Sequence, residues 1–287
     1  MEKSDVFKGW RDQKCVIATM HNKELVTAPL LQSELGVQVF VPENFDTDSF
    51  GTFTRETNRA GNQLEAARKK ALGAMKLTGA QIGFASEGSF GAHPVIPFMH
   101  SSLEIVVLID SIHNLEIVGN FRSSEVQVRG QDVSSPAEVI DIAHAWGFPK
   151  QGVILRQSAT SNRHIYKELS TDADLKRISE QLLAKFFVKS VCIETDMRAH
   201  RCPQRMESIK MATLDLIKNC KKLCPICTAP GFVTTDVVRG LLCSQCSLPT
   251  ELVKETIHTC QKCSHTENRP VESKTLAEPG ECQWCNP

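Results

Sequence analysis

Residues 14–41 read KCVIATMHNKELVTAPLLQSELGVQVFV, and this stretch decides the fold. Lys14–Thr19 is short and apolar, which predicts a buried strand. Glu24–Leu35 then predicts a helix stopped by Gly36, and Val37–Val41 a second strand ended by Pro42. Strand, helix, strand is the repeating unit of α/β proteins.

Working outward, the polar run ENFDTDSFGTFTRETNRAG (residues 43–61) is too long for a simple connection and predicts a functional loop. Asn62 suits the cap of a helix over Gln63–Thr78, whose Leu64, Ala67, Ala71, Ala74 and Met75 keep a helical period. Gln81–Ser86 predicts a third strand, with Glu87-Gly88-Ser89 beyond its carboxyl end. Strands at Leu103–Asp110 and Leu115–Phe121 are joined by the turn SIHN. A helix at Pro136–Trp146, a strand at Gly152–Arg156 and a helix at Ala173–Val188 follow. A strand at Val191–Glu194 and a helix at Pro203–Leu223, with proline in its first turn, complete the series. The predicted class is α/β: a mixed, largely parallel sheet sandwiched by helices over residues 1–222, then a small zinc-ribbon domain over 223–287.

The tail carries the most specific spacing in the chain. Cys224 and Cys227, Cys243 and Cys246, Cys260 and Cys263, and Cys282 and Cys285 form four CxxC pairs. Eight thiolates make two closed tetrahedral sites, so two structural Zn²⁺ ions are expected, with His258 and His265 not needed as ligands. The expected pairing is sequential, the first knuckle with the second and the third with the fourth; interleaved pairing is the alternative. Cys15, Cys192, Cys202 and Cys220 are scattered and read as inert core residues.

Lys plus Arg and Asp plus Glu both number 33, so electrostatics give nucleic-acid binding no support. The longest apolar run, LEIVVLI, is far short of the ~20 residues of a membrane span. The opening MEKSDVFKGWRDQK is too polar for a signal peptide, so a cytoplasmic protein is expected.

Open α/β sheets bind ligands beyond the carboxyl ends of their strands. Three polar clusters fall there: Thr19, His21, Asn22 and Lys23; Glu87, Gly88 and Ser89; and ETDMRAHR, which holds Glu194, Asp196, Arg198, His200 and Arg201. No GxxxxGK[ST], GxGxxG or GxSxG motif is present. Carboxylates (Glu65, Glu87, and also Asp46 and Asp48) near Lys23 and Lys70 suit Mg²⁺ or Mn²⁺ bridged to a phosphate chain. Glu65 and Glu87 are the expected metal carboxylates, and Gly88 would admit a close ligand.

Here the residues resemble the inosine/xanthosine triphosphate pyrophosphatases and their Maf relatives. ATMHNKE resembles that family's first phosphate-binding segment through Thr19 and Lys23, with His21 where Asn is usual. EAARKKA matches its helix motif at Glu65, Ala67, Lys70 and Ala71, with Ala66 replacing Asn. FASEGSF supplies Glu87 and Gly88 for the acidic metal ligand and its glycine. Ala199-His200-Arg201 stands where the family has the Ser-His-Arg that contacts the base. The whole chain, with its CxxC-rich tail, also resembles an uncharacterised bacterial family. The resemblance implies a metal-dependent nucleoside triphosphate pyrophosphatase. Glu65, Glu87, Lys23 and Lys70 would be catalytic, and Thr19, His21, Asn22, Gly88, Ser89, Arg198, His200 and Arg201 would bind substrate. The alternative is a non-catalytic nucleotide sensor or adaptor whose zinc ribbons bind a partner protein or nucleic acid. A homodimer is compatible with either.

Overall fold

The computed structural model describes residues 8–43, 45–46, 62–96, 98–161, 164–186 and 189–287; Asp48 and most of the polar run 43–61 lie outside them. Strand β1 (Lys14–Ala18) sends alternate side chains to opposite faces of its sheet. Cys15 and Ile17 pack with Leu31 and Leu35 of helix α1 (Glu24–Leu35) and with Ala212 and Leu216 of α5 (Pro203–Cys220). Val16 and Ala18 pack instead against Ala67, Ala71 and Ala74 of α2 (Gln63–Thr78). The small residues of α2 let it lie close to the strands, and Asn62 caps it in a reciprocal box with Glu65.

This sheet has the order β2 (Gln38–Phe40), β1, β3 (Ile82–Ala92), β4 (His100–Asp110), β5 (Leu115–Ser123). Strand β1 runs parallel to β2 and β3, whereas β3–β4 and β4–β5 are antiparallel. The expectation of a largely parallel sheet is therefore corrected. Short links between β3, β4 and β5 allow only hairpins, and a parallel return needs a dozen or more residues.

A second sheet, of order β6-β9-β7-β8, is wholly antiparallel. Its strands are β6 (Gly130–Val133), β7 (Val153–Arg156), β8 (Ile165–Tyr166) and β9 (Val191–Thr195). Val153, Leu155, Val191 and Ile193 face α3 (Pro136–Ala145) and α4 (Asp172–Phe186) through Val139, Ala143, Leu175 and Leu182. Strands β6 and β8 have no apolar alternation to announce them, and pairing with β9 and β7 creates them. The fold is thus mixed α/β.

Strand β5 forms the edge of the first sheet, and its outward backbone groups are satisfied by side chains. Gln261 accepts from Glu116 N at 3.0 Å and donates to Glu116 O at 2.7 Å. From α5, Asn219 donates to Val118 O at 2.9 Å and Asp215 accepts from Asn120 N at 3.0 Å. The tail is therefore docked onto the sheet edge by its third knuckle.

Within the tail, β10 (Val233–Arg239), β11 (Val253–Thr259) and β12 (Thr266–Pro270) form an antiparallel meander. Each strand carries the chain from one end to the other, so knuckles one and three meet at one end and two and four at the other. Cys224, Cys227, Cys260 and Cys263 form one group, and Cys243, Cys246, Cys282 and Cys285 the other. The expected sequential pairing is thereby overturned. A strand of seven residues spans about 24 Å, which keeps consecutive knuckles apart.

Candidate functional site

Strand β1 pairs with β3 only as far as Ala18↔Ala85, while β3 continues against β4 to Ala92↔His100. Beyond the carboxyl end of β1, the flank of β3 from Ser86 onward has no neighbouring strand among the described residues. Glu87-Gly88-Ser89 thus lies within a strand and not in a loop after one, a second correction. The glycines of EGSFGA, Gly88 and Gly91, hid the continuation, which the β4 pairing imposes. Strand alternation then separates the predicted residues. Ser86 and Gly88 face α1 and α5, whereas Glu87 and Ser89 face α2.

On the α5 side lies a buried ionic cluster. Lys23, at the start of α1, donates from Nζ to Ser86 Oγ at 2.9 Å and to Ser86 O at 3.3 Å. Lys23 is 7% exposed, and among the described residues no carboxylate pairs with it. Burial, then the neighbouring Arg205 and Lys70 charges, push its pKa down to about 7. Arg205 Nε meets Glu104 Oε1 at 2.7 Å, Arg205 Nη1 donates to Met197 O, and both side chains are buried. A Cβ at Gly88 would stand 2.4 Å from Glu104 Oε1, so glycine makes room for this pair. Glu104 and Arg205 escaped sequence reading because they are 101 residues apart. The lone charge inside the apolar run LEIVVLI was the signal available for Glu104.

Lys23 supplies a pH test. A depressed folded pKa means the unfolded chain holds more protons between about 7 and the ordinary 10.5, so stability from this group rises with pH there. The charge penalty is complete below about pH 7 and relieved above 10.5. Lys23→Met should therefore stabilise the protein most near pH 6.5. Its advantage should shrink by up to ~1.4 kcal/mol per pH unit towards pH 10. Denaturant titrations of both proteins at several pH values check this; a constant difference would refute it.

On the α2 side, Lys70 Nζ meets Glu87 Oε2 at 2.7 Å, both side chains buried. Gln63 Nε2 donates to Glu87 O at 2.6 Å, and Ser89 Oγ donates to Gln63 Oε1 at 2.8 Å. Glu65 is not drawn in. It is exposed, and its carboxylate accepts from Asn62 N at 3.0 Å as part of the helix cap. Glu65 thus caps a helix and Glu87 holds a lysine, and among the described residues neither belongs to a group of three or more side chains able to hold a metal ion.

The third cluster divides as well. His200 stacks on His21 with ring centroids 5.2 Å apart, joining the segment after β9 to the segment after β1. Burial, then Lys23 and His200, push His21 down to about 3, so the imidazole is neutral at ordinary pH. Arg198 grips Asp196 through Nε and Nη2 and reaches Glu168 through Nη1. Arg201 donates to Leu169 O, and its Cβ would lie 2.8 Å from one added at Gly152. These two arginines brace the second sheet. Thr19 and Asn22, with Glu24 and Asp46, line a cavity of about 500 Å³ past the carboxyl ends of β1 and β2.

The tail holds the clearest metal geometry. Facing sulfurs stand 3.7 Å (Cys224–Cys263) and 3.6 Å (Cys227–Cys260) apart in one group. In the other they stand 3.9 Å (Cys243–Cys285) and 3.7 Å (Cys246–Cys282) apart. A tetrahedron with Zn–S bonds of ~2.3 Å has edges of about 3.8 Å, so the thiols fit such an ion. The first three knuckles share one backbone: Thr228, Ser247 and Ser264, each following the second cysteine, are left-handed with φ of 58°, 58° and 59°. Among the described residues no other group of three or more His, Cys, Asp or Glu converges in this way. Cys15 and Cys192 are buried and pushed up to about 12 by that burial, which keeps them protonated and unreactive.

Fold and sites together define a mixed α/β protein with a buried ionic cluster, a separate cavity past the ends of β1 and β2, and a tail of two Cys₄ groups able to hold metal ions such as zinc. The chain belongs to the family described as Domain of unknown function (DUF6671), which it matches over residues 70–287. No curated protein sequence matches it. Among the described residues no helix is long and apolar enough to cross a membrane.

Proposed function

We propose that the cleft beside Lys23 binds the phosphate chain of a nucleoside triphosphate with a purine or modified base. On this reading the protein is a nucleotide pyrophosphatase that releases pyrophosphate. One observation carries it: a buried ammonium with only a hydroxyl and a carbonyl for partners, on the same face of β3 as the Arg205–Glu104 pair, while the Lys70–Glu87 pair closes on the other face. A phosphate oxygen at Lys23 would neutralise that ammonium. Water would attack the α-phosphorus and pyrophosphate would leave, with charge growing on oxygens that the cations face. The order of motifs resembling the inosine/xanthosine triphosphate pyrophosphatases supports the same substrate class.

The test offers common and modified triphosphates with Mg²⁺ or Mn²⁺ and measures pyrophosphate and orthophosphate separately. Pyrophosphate from at least one nucleotide is expected, with kcat/KM about 10²-fold lower in Lys23→Met. Failure of every nucleotide either to react or to raise the melting temperature would end this reading. The lock between Glu87 and Lys70 favours a second one, a nucleotide sensor that binds without turnover. In that case the exposed Leu242, Leu248, Leu276 and Trp284 of the tail would meet a protein partner. Binding without product would select it.

A further inference from the structure

The second sheet buries one face against α3 and α4; its other face, with Ile154, Arg156 and Glu194, carries a separate cavity of about 190 Å³. Arg129, Asp196 and Arg198 also line it. Counting Glu168, which also holds Arg198, three guanidinium groups meet three carboxylates, so a site here rests on free donors and not on net charge. Arg198 is fully engaged by Asp196 and Glu168. Arg156, only 3% exposed, pairs through Nη2 with Glu194 at 2.8 Å and reaches Ser161 O through Nη1 at 3.4 Å, but among the described residues its Nε–H has no acceptor. Such a buried, unmet donor is uncommon in native proteins. Arg129 has only Gln127 Oε1 as a side-chain partner, and its backbone is held to Thr195 by bonds of 3.0 Å in both directions. Its guanidinium therefore stands at a fixed rim.

We propose that this cavity is a binding site for a small phosphate-class oxyanion, held between Arg156 Nε–H and the Arg129 guanidinium. A planar carboxylate is best met by one complete fork, but half of the Arg156 fork already holds Glu194. Donors that arrive from two separate elements suit a tetrahedral anion, whose oxygens point in several directions. The apolar wall of Val128, Ile154 and Met197 leaves room for a short ester carbon chain. This site does not depend on the nucleotide reading of the Lys23 cleft.

Metal-loaded, full-length protein is titrated with inorganic phosphate by calorimetry, with melting temperature recorded in parallel. Lys23→Met should keep a phosphate site, and Arg129→Ala and Arg156→Lys, each made in the Lys23→Met background, should weaken it at least tenfold. Arg129 is exposed, so its removal leaves the fold intact; Arg156→Lys keeps a charge for Glu194 while removing the Nε–H. Glycerol 3-phosphate distinguishes the sources: tighter binding than phosphate assigns an ester, equal binding the free ion. Unchanged affinity in both arginine variants would overturn the site. So would complete loss of binding in Lys23→Met alone, which places the anion in the cleft, or acetate binding as well as phosphate.

Discussion

Cys224→Ser combined with Cys260→Ser should leave one metal ion per chain, whereas Cys224→Ser combined with Cys243→Ser should leave none. The first pair takes two ligands from the same group, and the second takes one from each. Sequential pairing reverses both outcomes, so metal content after gel filtration decides between them, and it also identifies the metal as zinc or iron. The effect on folding should be large. Binding of a structural zinc ion supplies ~10–16 kcal/mol to domains of this kind, which cannot fold on their few apolar side chains. Phe232, Ala229, Cys224 and Cys260 form the small core around the first group, and nothing else would replace the ion. Because Gln261 sits in that group's third knuckle, loss of the first ion should also free the edge of β5. Faster amide exchange at Glu116 is expected in Cys224→Ser/Cys260→Ser and not in the corresponding variant of the second group, Cys243→Ser/Cys282→Ser.

Gly119→Ala should destabilise the α/β domain by about 3 kcal/mol or more. A Cβ on Gly119 would stand 2.3 Å from Leu216 N and 2.4 Å from Ala212 O. Both are backbone atoms of α5, so no side chain can swing aside, and the helix itself must shift. That helix carries Arg205 at its start and buries Ala212, Leu216 and Ile217 against the sheet. The shift should therefore loosen the Glu104–Arg205 pair as well as the core. Gly91→Ala is the control, because nothing lies within 4 Å of its Cβ position. Denaturant unfolding of the two variants makes the comparison, and a Gly119→Ala protein within 0.5 kcal/mol of wild type would show that α5 does not rest on β5.

Much of the chain was legible where local chemistry decides structure. Asn62 and Glu65 meet across one helical turn, and Gly36 ends α1 with φ of 72°. The CxxC pairs were readable because two thiolates three residues apart can bind one ion from a single turn. The same local logic misjudged Glu65, whose place in the resemblance concealed its simpler use as a cap. It also stopped β3 at Ser86, since a strand supported only by its partner leaves no apolar alternation behind.

Sequence alone determined most of the helices and central strands, the CxxC-rich tail and the set of charged residues near the strand ends, because these depend on neighbours a few positions apart. Tertiary structure decided how they combine. Hairpin links turned half of the first sheet antiparallel, and a three-stranded meander interleaved the knuckles. The pleat of β3 placed Ser86 with Lys23 but Glu87 with Lys70. Which charge meets which across a sheet depends on strand register and on helices 100 residues away, as Glu104 and Arg205 do, and no local rule encodes that choice.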